Sequence, residues 1–118
     1  MDLENDGWQR LGPISQYHEG KITSGEMLNQ YEQTVELAIT KTSAGLDVIV
    51  DRCPHQGVAF TERGCLTRNN QLVCTWHDWT FNLANGTDSG KPGIKLQTIE
   101  FQIHEDTLWV RPDPDVLY

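Results

Sequence analysis

Two short segments hold most of what this sequence demands of its fold: Cys53-Pro54-His55 and Cys74-Thr75-Trp76-His77. The first is C-x-H and the second C-x-x-H, with eighteen residues between His55 and Cys74. Each sets one thiol and one imidazole in a tight loop behind an apolar, strand-like run. Thiolates are soft ligands that suit iron–sulfur clusters, zinc or copper(I), and imidazole suits several borderline metals. A chain that uses both segments must bring two strand ends together around one site. The cysteine count of three is odd, which argues against a secreted disulfide framework. Metal therefore comes before disulfide. Cys65 has no histidine near it, and a small buried or half-buried thiol is its expected state.

The runs around these segments have the period of strands. Val35, Leu37 and Ile39 alternate with Glu36, Ala38 and Thr40, the pattern of a half-buried strand. Leu46, Val48 and Val50 repeat that period after a Thr42-Ser43-Ala44-Gly45 turn, so a hairpin delivers the chain to Cys53. Gln71-Leu72-Val73 forms a short strand ending at Cys74, Trp79, Phe81 and Leu83 alternate after it, and Asn85-Gly86 signals a hairpin turn. Ile99, Phe101 and Ile103 alternate next, His104-Glu105-Asp106 turns, and Leu108-Trp109-Val110 completes a further hairpin before Pro112 and Pro114. Between residues 12 and 32 the glycines Gly12, Gly20 and Gly25, with Pro13, break any period. No helix of three or more turns and no internal repeat is expected. The fold class is all-β, an antiparallel sandwich or partly open barrel of short strands in a single domain over residues 1–118.

Composition narrows the function classes. Hydrophobic residues make up 37% and charged residues 22%, which fits a globular protein rather than a disordered one. A net charge of −8 disfavours nucleic acid and anionic membrane surfaces and favours partners with a basic face. No apolar stretch approaches the roughly 20 residues that span a bilayer. The acidic start, Met1-Asp2-Leu3-Glu4-Asn5-Asp6, lacks the regions of a signal peptide, so a cytoplasmic location is expected.

The Cys–His–Cys–His order, with one C-x-H and one C-x-x-H, resembles the Rieske family. There, two thiolates bind one iron of a [2Fe–2S] cluster and two imidazoles bind the other. The resemblance extends beyond the ligands. Gly57 falls where the family's C-P-H-x-G run has its glycine, which lets backbone amides approach the cluster sulfides. Trp79 and Phe81 match the aromatic positions of H-x-W-x-F, and Gly90-Lys91-Pro92-Gly93 lies where the family has a proline-containing covering loop. It implies a small cluster-binding subdomain with ligand loops at about 53–60 and 74–81 and a covering loop at about 88–94. It also implies one [2Fe–2S] cluster per chain on Cys53, His55, Cys74 and His77, with the two histidines forming the electron port.

By resemblance the chain is a one-electron carrier rather than an enzyme. It is similar to the ferredoxin components that relay electrons from a reductase to a terminal oxygenase or similar redox enzyme. The alternative is a small Rieske subunit of a larger reductase, like that of nitrite reductase. The family comparison further implies a low potential. High-potential members have an additional cysteine in each ligand loop and a serine after the second; here the first-loop position is Val58 and the second loop has no added cysteine. Asp78 stands where many members have glycine after the second histidine.

Other chemistries use the same residue types. A structural Cys₂His₂ zinc site would make the domain a zinc-stabilised interaction module. Such sites usually space their cysteines about two to four residues apart, and C-x-H is cramped for one tetrahedral ion. A catalytic Cys53–His55 pair would leave Cys74 and His77 without a role. His18 in a loop and His104 in a turn read as solvated surface groups. Trp8 and Trp109 read as packing residues, whereas Trp76 could pack or make contacts near the site. Asn85-Gly86-Thr87 matches a glycosylation sequon that a turn explains better.

Overall fold

The computed structural model describes residues 3–54, 57–67, 69–75, 79–83, 95–116 and 118, with Trp79 described by its backbone only. Among the described residues, besides two 3-10 turns at Glu4–Asp6 and Ile14–Gln16, nine strands and one α-helical turn follow in chain order: β1 (Gln9–Pro13), β2 (Ile22–Leu28), β3 (Thr34–Thr42), β4 (Gly45–Val50), α1 (Phe60–Arg63), β5 (Gly64–Leu66), β6 (Gln71–Cys74), β7 (Trp79–Asn82), β8 (Glu100–His104) and β9 (Thr107–Arg111). They make three antiparallel three-stranded sheets, ordered β1-β9-β8, β2-β3-β4 and β5-β6-β7. The all-β expectation holds. Among the described residues no helix is long and apolar enough to cross a membrane.

The first two sheets curl toward each other along two seams. On one, the chain entering β8 pairs with the free edge of β4: Ile49 and Thr98 form a bridge, Val50 N–H donates to Gln97 O at 2.9 Å, and Ile99 N–H donates to Val48 O at 2.9 Å. On the other, a side chain replaces a strand. The Gln9 carboxamide donates to Leu28 O at 2.8 Å and accepts from Leu28 N–H at 2.7 Å. Joined at one seam by backbone and at the other by an amide side chain, the two sheets form a partly open barrel.

Two of the expected hairpins are present. β3 and β4 pair from Leu37↔Val50 to Thr42↔Gly45, with Ser43-Ala44 between them. β8 and β9 pair through a two-residue turn at Glu105 and Asp106, both at positive φ (51° and 60°), which matches the right-handed twist of the flanking strands. The Asn85-Gly86 turn and the 88–94 loop lie outside the described residues.

Three expectations change. β3 is half-buried only at its start: from Leu37 to Thr40 every residue is buried. The β3–β4 hairpin is a wall between two cores. Leu37, Ile39, Val48 and Val50 pack into the barrel core, and Ala38 and Ile49 into a second cluster on the other face. Second, the region from 12 to 32 contains β2, paired along seven positions with β3, from Ile22↔Thr40 to Leu28↔Thr34. Its Gly25 is a packing residue: a Cβ there would stand 2.8 Å from Ile39 Cδ1. Third, Cys65 is exposed rather than buried or half-buried. It lies in the middle of edge strand β5 opposite Val73, while its neighbour Leu66 turns toward the second cluster, so period-two alternation points Cys65 outward.

Trp8 packs half-buried beneath the Arg111 guanidinium at 4.5 Å. Trp109 is also half-buried, and His18 is exposed as expected. His104 is the last residue of β8, paired with Thr107, rather than a turn residue.

Asp47, on β4 opposite Thr40, is partly buried without an acidic or basic neighbour shaping it, and burial pushes its carboxyl from 3.8 up to about 6. The folded carboxyl therefore holds a proton more tightly than the unfolded one. Its protonation stabilises the fold fully below about pH 4, and that contribution is lost as pH rises through about 6. Asp47→Asn should stabilise the fold at pH 7 by up to about 1 kcal/mol after allowance for solvent screening, and so raise Tm. Thermal unfolding of both proteins at pH 7 and pH 4 checks this, with the difference shrinking at the lower pH.

Candidate metal centre

The second core cluster is where the two cysteine segments meet. Cys53 and Cys74 are both fully buried in it, beside Phe60, Leu72, Phe81 and Leu83. Neither is part of a disulfide. They arrive from different directions. β4 ends at Val50, and three residues later Cys53 opens a short loop; β6 ends on Cys74 itself.

The first loop is closed by its own backbone. Cys53 N–H donates to Val58 O at 2.8 Å, and Gly57 N–H donates to Cys53 O at 2.7 Å. Gly57 sits at φ +75°, a conformation that a side chain would disfavour. Its own N–H is taken up in turning the loop.

Cys74 is held by sheet pairing on both sides, opposite Gly64 on β5 and Trp79 on β7. Gly64 follows α1 so tightly that a Cβ would stand 2.7 Å from Phe60 O. Only glycine lets the turn and the strand join there. Behind both cysteines, Phe60 and Phe81 pack edge to face, with ring centroids 6.0 Å apart at 84°. Phe81 is one of the aromatics expected beside the second segment; Phe60 was not singled out in the sequence.

Polar links join α1 to each segment. Thr61 donates twice to the Asp51 carboxylate, from N–H to Oδ1 at 3.0 Å and from Oγ1 to Oδ2 at 2.6 Å. Thr75 donates twice to Arg63 O, from N–H at 2.9 Å and from Oγ1 at 2.6 Å. Sequence reasoning missed Asp51, Thr61 and Thr75, because nothing in a linear pattern says that a one-turn helix lies between the two segments.

His55, Trp76, His77 and Asp78 lie outside the described residues, as does the Trp79 side chain. Among the described residues no three His, Cys, Asp or Glu side chains converge as a metal site. What the structure brings together is the two cysteines of the expected donor set. One in the loop after β4 and one at the end of β6, enclosed by apolar side chains and not joined in a disulfide, they fit a group that needs two thiolates on one iron.

The family model of the Rieske [2Fe-2S] domain matches residues 7–100. The ferredoxin component of the alkene monooxygenase system of Xanthobacter autotrophicus (strain ATCC BAA-1158 / Py2) is 29% identical over 62 residues, which is 52% of this chain and 50% of that protein. The match thus spans about half the length of that relative. The ferredoxin of carbazole 1,9a-dioxygenase from Nocardioides aromaticivorans IC177 shares the fold at TM-score 0.72 and 14% identity, over 90% of this chain and 98% of that one. A putative NADH-dependent nitrite reductase small subunit from Mycobacterium tuberculosis does so at TM-score 0.71 and 15% identity, over 87% and 92%. With its two cysteine segments meeting under a family match over most of its length, the chain belongs to the Rieske [2Fe–2S] domain family.

Proposed function

We propose that the chain holds one [2Fe–2S] cluster on Cys53, His55, Cys74 and His77 and acts in the cytoplasm as a one-electron carrier between a reductase and a terminal oxygenase or similar redox enzyme. The observation that carries this reading is the meeting of Cys53 and Cys74, from separate strand ends, in one buried apolar cluster. Bound there, the cluster supplies reversible one-electron transfer and no bond chemistry. Phe60, Leu72 and Phe81, buried beside Cys53 and Cys74, would keep water from the two thiolates. The carrier reading is favoured over that of a reductase small subunit because the sequence match is to a ferredoxin component, whereas the nitrite reductase subunits share only the fold.

Purified protein should contain about two irons and two acid-labile sulfides per chain. Cys53→Ala, His55→Ala, Cys74→Ala or His77→Ala should each lose the cluster or sharply lower its occupancy, read by iron content and visible absorption. One zinc per chain without labile sulfide would overturn the reading.

The cluster should be of low potential. None of Cys53, Cys65 and Cys74 is in a disulfide, so no such bond braces the ligand segments. Asp78 adds a carboxylate after His77, and fewer donors with more negative charge disfavour the reduced cluster. A redox titration should place the midpoint near the bottom of the range for Rieske centres, roughly −150 to +300 mV. A value well above about +100 mV would contradict it.

The partner should present a basic face. Glu26, Glu36, Asp51 and Glu62 line a hollow of about 450 Å³ beside the first ligand segment, on a chain of net charge −8. The second-order rate of electron exchange with the partner should fall as salt is raised from about 0.01 M to about 1 M, over which the screening length shortens from about 30 Å to about 3 Å. A salt-independent rate would assign docking to apolar groups.

A further inference from the structure

We propose that Asp51, Thr61 and Thr75 are positioning residues that fix the two ligand segments against each other across α1, an inference that rests on Cys53 and Cys74 being ligands. α1 is a single turn, too short to be stable on its own hydrogen bonds. Its N-cap residue, Ala59, offers no side-chain acceptor for the free N–H groups of the first turn. The acceptor comes from elsewhere in the chain. Asp51, two residues before Cys53, receives both the Thr61 N–H and the Thr61 hydroxyl. A carboxylate at this end of a helical turn is charge-assisted, hence stronger than a neutral cap.

At the other end of the same turn, the last carbonyl of α1 receives two donors from Thr75, the residue directly after Cys74. One rigid turn is therefore tied at its start to the first ligand segment and at its end to the second. Phe60, fully buried against Phe81, pins the turn to the core and keeps it from sliding between them. Both hydroxyl bonds are short, at 2.6 Å, and neither threonine is inside the apolar cluster, so the role of the hydroxyls is to link rather than to fill space. A cluster spanning Cys53 and Cys74 would have its two anchor points held at a spacing set by this turn.

The test compares Thr61→Val and Thr75→Val, which keep the shape and lose the hydroxyl, with Thr61→Ser and Thr75→Ser, which keep the hydroxyl. Iron transfer from the oxidised protein to a chelator gives the rate of cluster loss, and electron paramagnetic resonance of the reduced protein reports the cluster's surroundings. Each valine variant should release iron about 5–10-fold faster, the effect of losing one hydrogen bond of about 1 kcal/mol or slightly more. Its resonance should be broadened, and serine should restore both properties. Should a valine variant not fold, Asp51→Asn keeps one acceptor oxygen and should speed release by roughly twofold to threefold. Release at the wild-type rate with an unaltered resonance overturns the proposal, as does faster release that serine fails to restore. Wild-type protein without iron and labile sulfide overturns the ligand reading first, and the positioning role with it.

Discussion

The double-sided burial of the β3–β4 hairpin is the constraint on which the remainder of this structure depends. Leu37, Ile39, Val48 and Val50 face one core, and Ala38 and Ile49 face the other. Each fully buried Val, Leu or Ile contributes roughly 1.5–3 kcal/mol relative to exposure, so this one hairpin carries a large part of both cores. β4 runs out of the hairpin at Val50 straight into Asp51 and Cys53, so the first cysteine segment starts from a wall packed on both faces. Cys53 and Cys74 pack together with Phe60, Leu72 and Phe81 on the face of that wall away from the barrel core.

Charge acts on a smaller scale, and its effects are unequal. Arg111 pairs with Glu100 at 2.9 Å, but the two side chains are 38% and 54% exposed, so the pair is worth at most about 1 kcal/mol. The Trp8 ring beneath the same guanidinium adds a similar increment and holds the N-terminal segment to sheet β1-β9-β8. The Asp51 carboxylate differs in kind, because it satisfies backbone and hydroxyl donors at a helix start and connects segments ten residues apart.

The hairpins at β3–β4 and β8–β9 were legible because alternation and turn residues are local: Val35–Ile39, Leu46–Val50 and Leu108–Val110 carry the period, and Glu105-Asp106 the turn. β2 was not legible, since Ile22-Thr23-Ser24-Gly25-Glu26-Met27-Leu28 has little alternation and a glycine at its centre. That glycine answers to Ile39, a residue on another strand, and no window around position 25 contains the reason. Cys65 was misplaced on the same account. Its residue type favours burial, but its outward register on edge strand β5 decided otherwise.

Taken alone, the sequence determined the order of the cysteine and histidine side chains, Cys53, His55, Cys74 and His77, and the strand-like run ahead of each cysteine. These are properties of neighbours along the chain, where ligand chemistry and a period of two residues act directly. Only the tertiary structure decided that Ala38 and Ile49 serve a second core, that Gln9 closes a seam with its side chain, and that one turn of helix links Asp51 to Thr75. Each of these depends on which distant segment arrives opposite a residue. That is fixed by packing two cores at once, and no local pattern in the chain encodes it.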